Sequence, residues 1–321
     1  MSTRFRRPSY WLRLLILAAV AIGVIVVALP MGAGAATMWA LTHPACAGDE
    51  RTPGDLGIPN AIRINIPSRS GGAYRGYFMP GTNDATIIIP PTYSGSRISM
   101  IDEGSILVKA GHYNLLMFES RVCAGKGAIS LGYSEVDDVG DALDYLRNNY
   151  DSIGVNMAHI ALHGFSSAGA TAIMAAARYP EIAAVLAEGN YYNMDAYLGV
   201  NDARDFWETL IVAGARVAYR TGTGEDSSKL DPLGAVSHIP PRPLFLIHGT
   251  IEPSFYGGTL EYTAAMTAAP TANTHLWKVP NARHGGYLSV AGVDEYTRHV
   301  VPFYDCALLG QCAAWDRLWQ P

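Results

Sequence analysis

The sequence predicts an α/β protein built on a mostly parallel sheet. Short apolar runs, such as 86–89 and 115–118, alternate with longer amphipathic stretches, such as 136–148. Strands that are apolar on both faces are typical of a parallel sheet covered by helices on its two sides. A further apolar run at 160–165 leads at once into a helix-forming run at 171–179, which is the strand-turn-helix pattern of such a fold.

The elements follow one another in the expected order. Two alternating runs at 62–66 and 74–79 predict the first strands. The remaining predicted elements are a strand at 86–89, a helix at 98–110, a strand at 115–118, a helix at 136–148 and a strand at 184–187. Between 190 and 238 the pattern changes to a helix over 203–219 and a polar loop, which predicts a helical insertion.

Length and charge limit the class of protein. A chain of 321 residues can form one large core, and a net charge of −5 argues against a nucleic-acid partner. No phosphate-binding glycine loop or paired metal-ligand motif is found, so we expect neither a metal nor an organic cofactor. The predicted organisation is a basic N-terminus at 1–13, an apolar segment at 14–41, a stalk at 42–60, an α/β domain at 61–312 with its insertion, and a tail at 313–321.

The segment 164–169, Gly-Phe-Ser-Ser-Ala-Gly, predicts a nucleophile. A serine on a sharp turn between strand and helix exposes its hydroxyl and places the next backbone N–H where an oxyanion would form. Ser166 is therefore the candidate nucleophile, although small residues around a serine also occur in ordinary strand-to-helix turns.

Two further candidates follow Ser166 along the chain. Glu252 comes just after the apolar run 243–249, and His284 comes after the run 275–279. A serine hydroxyl becomes a good nucleophile when a histidine takes its proton and a carboxylate orients that histidine. Glu188 is the alternative acid, and His248 is interpreted as a structural turn residue. The competing interpretations are a surface histidine and a solvated glutamate.

These motifs resemble the α/β-hydrolases, and more narrowly the membrane-tethered bacterial hydrolases related to dienelactone hydrolases and acyl-peptidase catalytic domains. The resemblance spans about 52–303. Its motifs lie at 52–59, 111–121, 132–139 and 241–249. It implies the α/β-hydrolase fold, a Ser166–Glu252–His284 catalytic triad, and a small cap over the active site at 190–238.

The sequence departs from the family pattern around the oxyanion site. Ala168 stands where the family usually has glycine, Glu252 stands where aspartate is commoner, and Pro90-Pro91 replace the usual His-Gly. Because proline has no backbone N–H, the resemblance assigns the two oxyanion donors to the N–H groups of Tyr93 and Ser167. The Tyr93 ring is alternatively a wall of the acyl pocket or a packing residue.

Two aromatic residues of the insertion are candidates for substrate binding. Tyr192 and Trp207 lie where the family places residues over the active site. Core packing of the inserted helix is an equally good interpretation.

The N-terminus predicts a membrane segment. Arginines, Arg13 among them, precede an uncharged apolar stretch that begins at Leu14 and continues to about Thr42. About 20 apolar residues span a bilayer, and the arginines place the N-terminus in the cytoplasm and the hydrolase outside it. The alternative is a cleaved signal peptide, because the small residues at 33–35 fit a cleavage site.

The four cysteines agree with an extracytoplasmic compartment, where disulfides persist. Three pairings are possible for Cys46, Cys123, Cys306 and Cys312. The short spacing from Cys306 to Cys312 favours one local bridge, which leaves Cys46 to join the stalk to Cys123.

The sequence therefore predicts a membrane-anchored, extracytoplasmic serine hydrolase acting on a small-molecule carboxylic ester through an acyl-enzyme. The alternatives are a serine peptidase, a thioesterase, and a catalytically silent hydrolase fold that serves as a surface binding protein.

Overall fold

A single mixed sheet organises the chain. The computed structural model describes residues 10–49, 51–93, 95–194, 205–252 and 273–319. Its strands are β1 (Ile62–Pro67), β2 (Ala73–Met79), β3 (Thr86–Ile89), β4 (Asn114–Phe118), β5 (Ile160–Phe165), β6 (Ile182–Glu188), β7 (Leu244–Gly249) and β8 (Thr274–Val279). They pair in the order β1-β2-β4-β3-β5-β6-β7-β8. Only the pairs of β2 with β1 and β4 are antiparallel among these strands, so the predicted mostly parallel α/β-hydrolase fold is confirmed.

Helices cover both faces of the sheet. They are α1 (Tyr10–Thr42), α2 (Ile101–Lys109), α3 (Glu135–Ile153), α4 (Ser167–Arg178), α5 (Phe206–Thr223), α6 (Pro232–Val236), α7 (Tyr287–Ala291), α8 (Val293–Leu309) and α9 (Ala313–Leu318). Alternate residues of one strand enter opposite cores, since Ile87 packs beneath α2 and α8 while Ile88 packs beneath α3 and α4.

The register brings the strand ends to one edge. Phe165 of β5 pairs with Glu188 of β6, Glu188 pairs with Ile247 of β7, and Gly249 pairs with Val279 of β8. The loops that follow these parallel strands therefore emerge side by side, which is where open α/β sheets bind ligands.

Helix α1 is longer than a membrane segment requires. Its residues 10–25 are exposed, whereas Gly34, Met38 and Thr42 are buried on one face against the rest of the protein. Met38 packs into a core cluster with Ala215 of α5. Among the described residues, α1 alone is long and apolar enough to cross a membrane, with a mean hydropathy of 2.9 over its most apolar window.

The segments interpreted from the sequence as a stalk and a tail both contain helical turns. The predicted tail contains α9, and this helix is attached to the domain because its Trp315 is buried against Phe245 and Phe303. The predicted stalk carries a short 3-10 helix, Pro53–Leu56, which Thr52 caps through its side chain.

Both favoured disulfides are present. Cys46 joins Cys123, and Cys306 joins Cys312. The first bridge joins the chain just after α1 to the loop after β4, so the segment that follows α1 is covalently attached to the catalytic domain.

Candidate active site

Ser166 lies on a strained turn between β5 and α4. Its φ of 55° and ψ of −118° are unfavourable for a residue with a side chain, and its N–H donates to the carbonyl of Glu188 at 2.8 Å. The turn is so tight that a Cβ on Gly164 would lie 2.2 Å from the carbonyl oxygen of Ala168. Glycine is therefore required at 164. The Ala168 methyl, one of the departures from the family pattern, is fully buried within this turn.

His284 reaches Ser166 from the loop after β8. Its Nε2 lies 3.1 Å from the Ser166 Oγ, and its ring packs against Phe165 at a centroid distance of 4.7 Å. This is the hydrogen-bond distance that proton transfer from a hydroxyl to an imidazole requires.

Glu252 lies on the opposite side of the His284 ring. Its Oε2 is 3.4 Å from the His284 Nδ1, and its Oε1 accepts hydrogen bonds from the Gly249 N–H, at 2.8 Å, and from the Tyr287 hydroxyl. Burial alone would raise the pKa of this carboxyl. The hydrogen bond with His284, together with the Gly249 and Tyr287 donors, outweighs it, so the pKa is lowered. Glu252 is thus held as a carboxylate.

Glu188, the alternative acid, faces elsewhere. Its Oε1 lies 3.0 Å from the His163 Nε2 and accepts a hydrogen bond from the Tyr296 hydroxyl, and all three side chains are buried beneath the sheet edge. The structure brings Ser166, His284 and Glu252 together and places Glu188 in this separate polar cluster.

His248 lies beneath the loop that carries Glu252. It is fully buried, with its Nδ1 3.9 Å from the Glu252 Oε1. Burial lowers the pKa of His248 to about 4, so its ring is neutral at pH 7. A neutral ring leaves the Glu252 charge available to His284.

We expect His248 to make the fold sensitive to acid. The unfolded chain binds this proton near pH 6.5 and the folded chain only near 4, so the unfolded state holds more protons between these values. The free energy of unfolding should therefore fall as the pH drops through this window, by about 2–3 kcal/mol from this group. Urea unfolding at both ends of the window measures the loss. His248→Asn should reduce it and the exposed-site control His238→Asn should not; equal losses in all three proteins would contradict the assignment.

The predicted oxyanion donors lie beside one small cavity next to the first turn of α4. Tyr93, in the loop after β3, and Ser167, at the first turn of α4, both line it. The Tyr93 side chain is 44 % exposed, so it is not a core-packing residue.

Ser120 lines this cavity as well and was not singled out by the sequence. Its side chain is buried, and its Oγ has no hydrogen-bond partner among the described residues. The residues on either side of Ser120 fix the turn after β4: Glu119 accepts a hydrogen bond from the Arg75 guanidinium, and Arg121 donates to Asp138 at 2.7 Å. The motif at 111–121 ends in Glu119, Ser120 and Arg121, which predicts a turn at this place. Nothing in the pattern indicates that the central serine faces the cavity.

The two aromatic candidates of the insertion lie apart from each other. Tyr192, just after β6, packs against the core on the α3 and α4 side of the sheet, and its carbonyl accepts the Leu233 N–H at 3.2 Å. Trp207 lies at the first turn of α5, half exposed, with its ring against Phe206. Neither lines the cavity beside Ser167. The insertion residues 195–204 and the loop 253–272 lie outside the described residues.

The fold, the strained serine and a family match over residues 124–310 together identify the chain as a serine hydrolase. The sequence profile of the prolyl oligopeptidase family matches residues 124–310, more than half of the chain and all three of Ser166, Glu252 and His284. The chain belongs to that family. A search of curated protein sequences finds no match.

Solved structures share the fold over most of their length. The Pyrococcus furiosus esterase Pf2001 superposes with a TM-score of 0.65 at 21% identity, covering 83% of this chain and 99% of that one. A 2,6-dihydroxy-pseudo-oxynicotine hydrolase gives 0.60 at 13% identity, over 79% and 70% of the chains. The esterase domain of a Rhodothermus marinus protein gives 0.51 at 16% identity, over 81% and 98%. At these identities the likeness establishes the fold alone.

Proposed function

We propose that the protein is a membrane-anchored carboxylic ester hydrolase whose catalytic triad is Ser166, His284 and Glu252. The observation that carries this proposal is the 3.1 Å contact between the Ser166 Oγ and the His284 Nε2, with a buried carboxylate on the other ring nitrogen. Hydroxyl, imidazole and carboxylate in this sequence are the set that acyl transfer requires.

The reaction proceeds through an acyl-enzyme. The Ser166 Oγ bonds to the ester carbonyl carbon while His284 takes the hydroxyl proton, and the N–H groups of Ser167 and Tyr93 donate to the resulting oxyanion. His284 then gives the proton to the leaving alcohol as the ester C–O bond breaks. A water molecule then adds to the acyl carbon while His284 takes its proton. His284 returns this proton to the Ser166 Oγ as the acyl-enzyme C–O bond breaks, which releases the carboxylic acid and free Ser166.

An ester is favoured over a peptide as substrate. Pf2001, of which this chain covers almost the whole length, and the Rhodothermus marinus domain are both described as esterases. The family match favours a serine peptidase as the second candidate, and parallel assays with p-nitrophenyl esters and aminoacyl p-nitroanilides distinguish the two.

Helix α1 acts as an uncleaved anchor in this proposal. The helix continues without a break through the small residues at 33–35, and Gly34 is buried against Ile211 of α5. These small residues therefore have a packing role, which accounts for them without a cleavage site. The two disulfides fit an extracytoplasmic catalytic domain.

We expect a fluorophosphonate probe to label the full chain in detergent, since only a serine activated by its own base reacts quickly with such a probe. Ser166→Ala should abolish labelling, and the exposed-site control Ser228→Ala should retain it. A folded wild-type protein that is not labelled would overturn the proposal and favour a silent binding protein. The full chain is needed because Met38 of α1 belongs to the folded core.

A further inference from the structure

Helices α1 and α5 meet through glycines. A Cβ on Gly34 would lie 1.9 Å from the carbonyl oxygen of Ile211, and one on Gly214 would lie 1.9 Å from that of Met31. The two backbones are therefore in direct contact at this point. Such close approach through small residues is a common packing mode of membrane helices.

The same contacts fix the direction of the two helices. Further along, a Cβ on Gly222 would lie 2.7 Å from the His43 ring and 3.5 Å from the Thr42 Oγ1. The contact of Gly34 with Ile211 has an offset of 177 positions and that of Met31 with Gly214 an offset of 183, which average 180. Thr42 and Gly222 are also 180 positions apart, so Gly34 is level with Gly214 and Thr42 with Gly222. Both chains advance together, so the helices run parallel and a residue of α5 lies level with the residue of α1 that precedes it by 180 positions.

This register places the start of α5 beside the apolar part of α1. Phe206 is level with Val26, and Trp207 is level with Val27. The burial pattern agrees, because Val26 is the first residue of α1 that is partly covered, and all residues from 10 to 25 are exposed.

The level of Val26 is where a membrane span ends. Measured from Tyr10, the first described residue, α1 has risen about 24 Å by Val26, at 1.5 Å per residue. The span then includes the first turn of α1, from which the Arg13 side chain extends back to the inner headgroups. The hydrocarbon core is about 30 Å thick, and about 17 residues are the shortest span in common use. The beginning of α5 therefore lies about 6 Å inside the outer face of a 30 Å hydrocarbon core, and reaches that face where the bilayer thins to the shortest span. It does not lie in the aqueous phase.

The side chains at this level suit that boundary. Phe206 is 58% exposed and Trp207 is 50% exposed, with their rings in edge contact at 5.2 Å. Asp205 and Glu208 lie at the same height and cap the helix through reciprocal hydrogen bonds of 2.8 and 3.1 Å. Aromatic rings next to carboxylates fit the headgroup region, where tryptophan is enriched, and not the hydrocarbon interior.

We propose that the α5 tip, Phe206 and Trp207, is a second membrane contact, which rests on the outer-leaflet interface of the bilayer that α1 spans. The proposal depends on the anchoring role of α1 in the proposed function. Lipid is the expected partner of the tip, because the tip is continuous in space with the exposed apolar surface of α1.

The contact would fix the orientation of the catalytic domain. Thr42 accepts a hydrogen bond from the Ile129 N–H at 2.9 Å, and the Cys46–Cys123 disulfide follows within a few residues. With α1 bonded to the domain and the α5 tip on the lipid, the domain cannot swing on a flexible stalk. Its position above the membrane is set by the fold.

Three exposed tryptophans allow a direct test. Trp11 lies at the inner end of α1, and Trp207 lies at the α5 tip. Trp39 lies on α1 about 18 Å beyond the level of the tip, at 1.5 Å per residue. The full chain is reconstituted in phosphatidylcholine vesicles with or without bromine on the acyl carbons nearest the headgroup. The fluorescence of each tryptophan is the difference between the wild type and its Trp→Phe variant.

We expect shallow bromine to remove about half or more of the Trp11 and Trp207 fluorescence and little of the Trp39 fluorescence. Quenching of Trp11 without quenching of Trp207 would overturn the tip contact and leave the anchor intact. A second copy covering the tip would give that same pattern, together with a dimer in cross-linking. If neither Trp11 nor Trp207 is quenched, the span itself is wrong and the tip contact is wrong with it.

Discussion

Replacing His284 with alanine is expected to lower kcat for ester hydrolysis by about 10⁴-fold or more. The imidazole is the group within hydrogen-bond distance of the Ser166 Oγ, and without it the hydroxyl proton has no acceptor when the C–O bond forms. Initial rates with short-chain p-nitrophenyl esters, measured on the reconstituted full chain, give the size of the loss.

The Ser166→Ala and His284→Ala variants also test whether the two residues act as one unit. Removing either member of a serine–histidine pair abolishes the same step, so the double variant should be about as slow as each single variant. Multiplication of the two losses would indicate independent roles and would contradict a shared proton transfer.

A matched control separates chemistry from folding. His238 lies at an exposed position in the segment before β7, and His238→Ala should retain the wild-type rate. A similar loss in His238→Ala would show that the rate responds to general damage. Retention of activity by His284→Ala would contradict its role as the base.

The sheet could be predicted because its strands carry their own signal. Runs such as 86–89 are apolar on both faces, too short for an average helix and rich in β-branched residues, which favours a strand of a covered parallel sheet. The turn at Ser166 could be predicted for a similar reason, since the tight approach of Gly164 to Ala168 leaves a constraint on residue type.

The second half of α1 could not be predicted in this way. Hydropathy does not distinguish an apolar face that meets lipid from one that meets α5, so 14–41 was expected to be wholly membrane segment. The small residues at 33–35 fit a cleavage site and a helix contact equally well in the sequence. The position of Ile211 beside Gly34 gives these residues a packing role, which supports the proposed uncleaved anchor.

The C-terminal segment shows the converse difficulty. The sequence has no pattern at 313–321, which is interpreted as a tail; in the structure Trp315 and Trp319 both pack against Phe245. Long-range aromatic contacts of this kind leave no periodic pattern. The same is true of Ser120, whose neighbours Glu119 and Arg121 reveal the turn but not the direction of the serine side chain.

The choice of acid should be decided by Glu252→Gln and Glu188→Gln. We expect Glu252→Gln to lower kcat by about 10³–10⁴-fold with little change in KM, because the amide cannot stabilise the imidazolium that forms when Ser166 loses its proton. Some activity should remain, since the Ser166–His284 contact is still present.

Glu188→Gln is the matched control, because the same change is made in a buried glutamate at the end of a neighbouring strand. Its carboxylate binds His163 and the Tyr296 hydroxyl, so the variant should unfold at a lower temperature and yet keep kcat within about tenfold of the wild type. Thermal unfolding recorded beside the kinetics separates the two effects. If Glu252→Gln kept full activity and Glu188→Gln lost it while still folded, the acid would be Glu188, and the His284 loop would have to move toward β6 during the reaction.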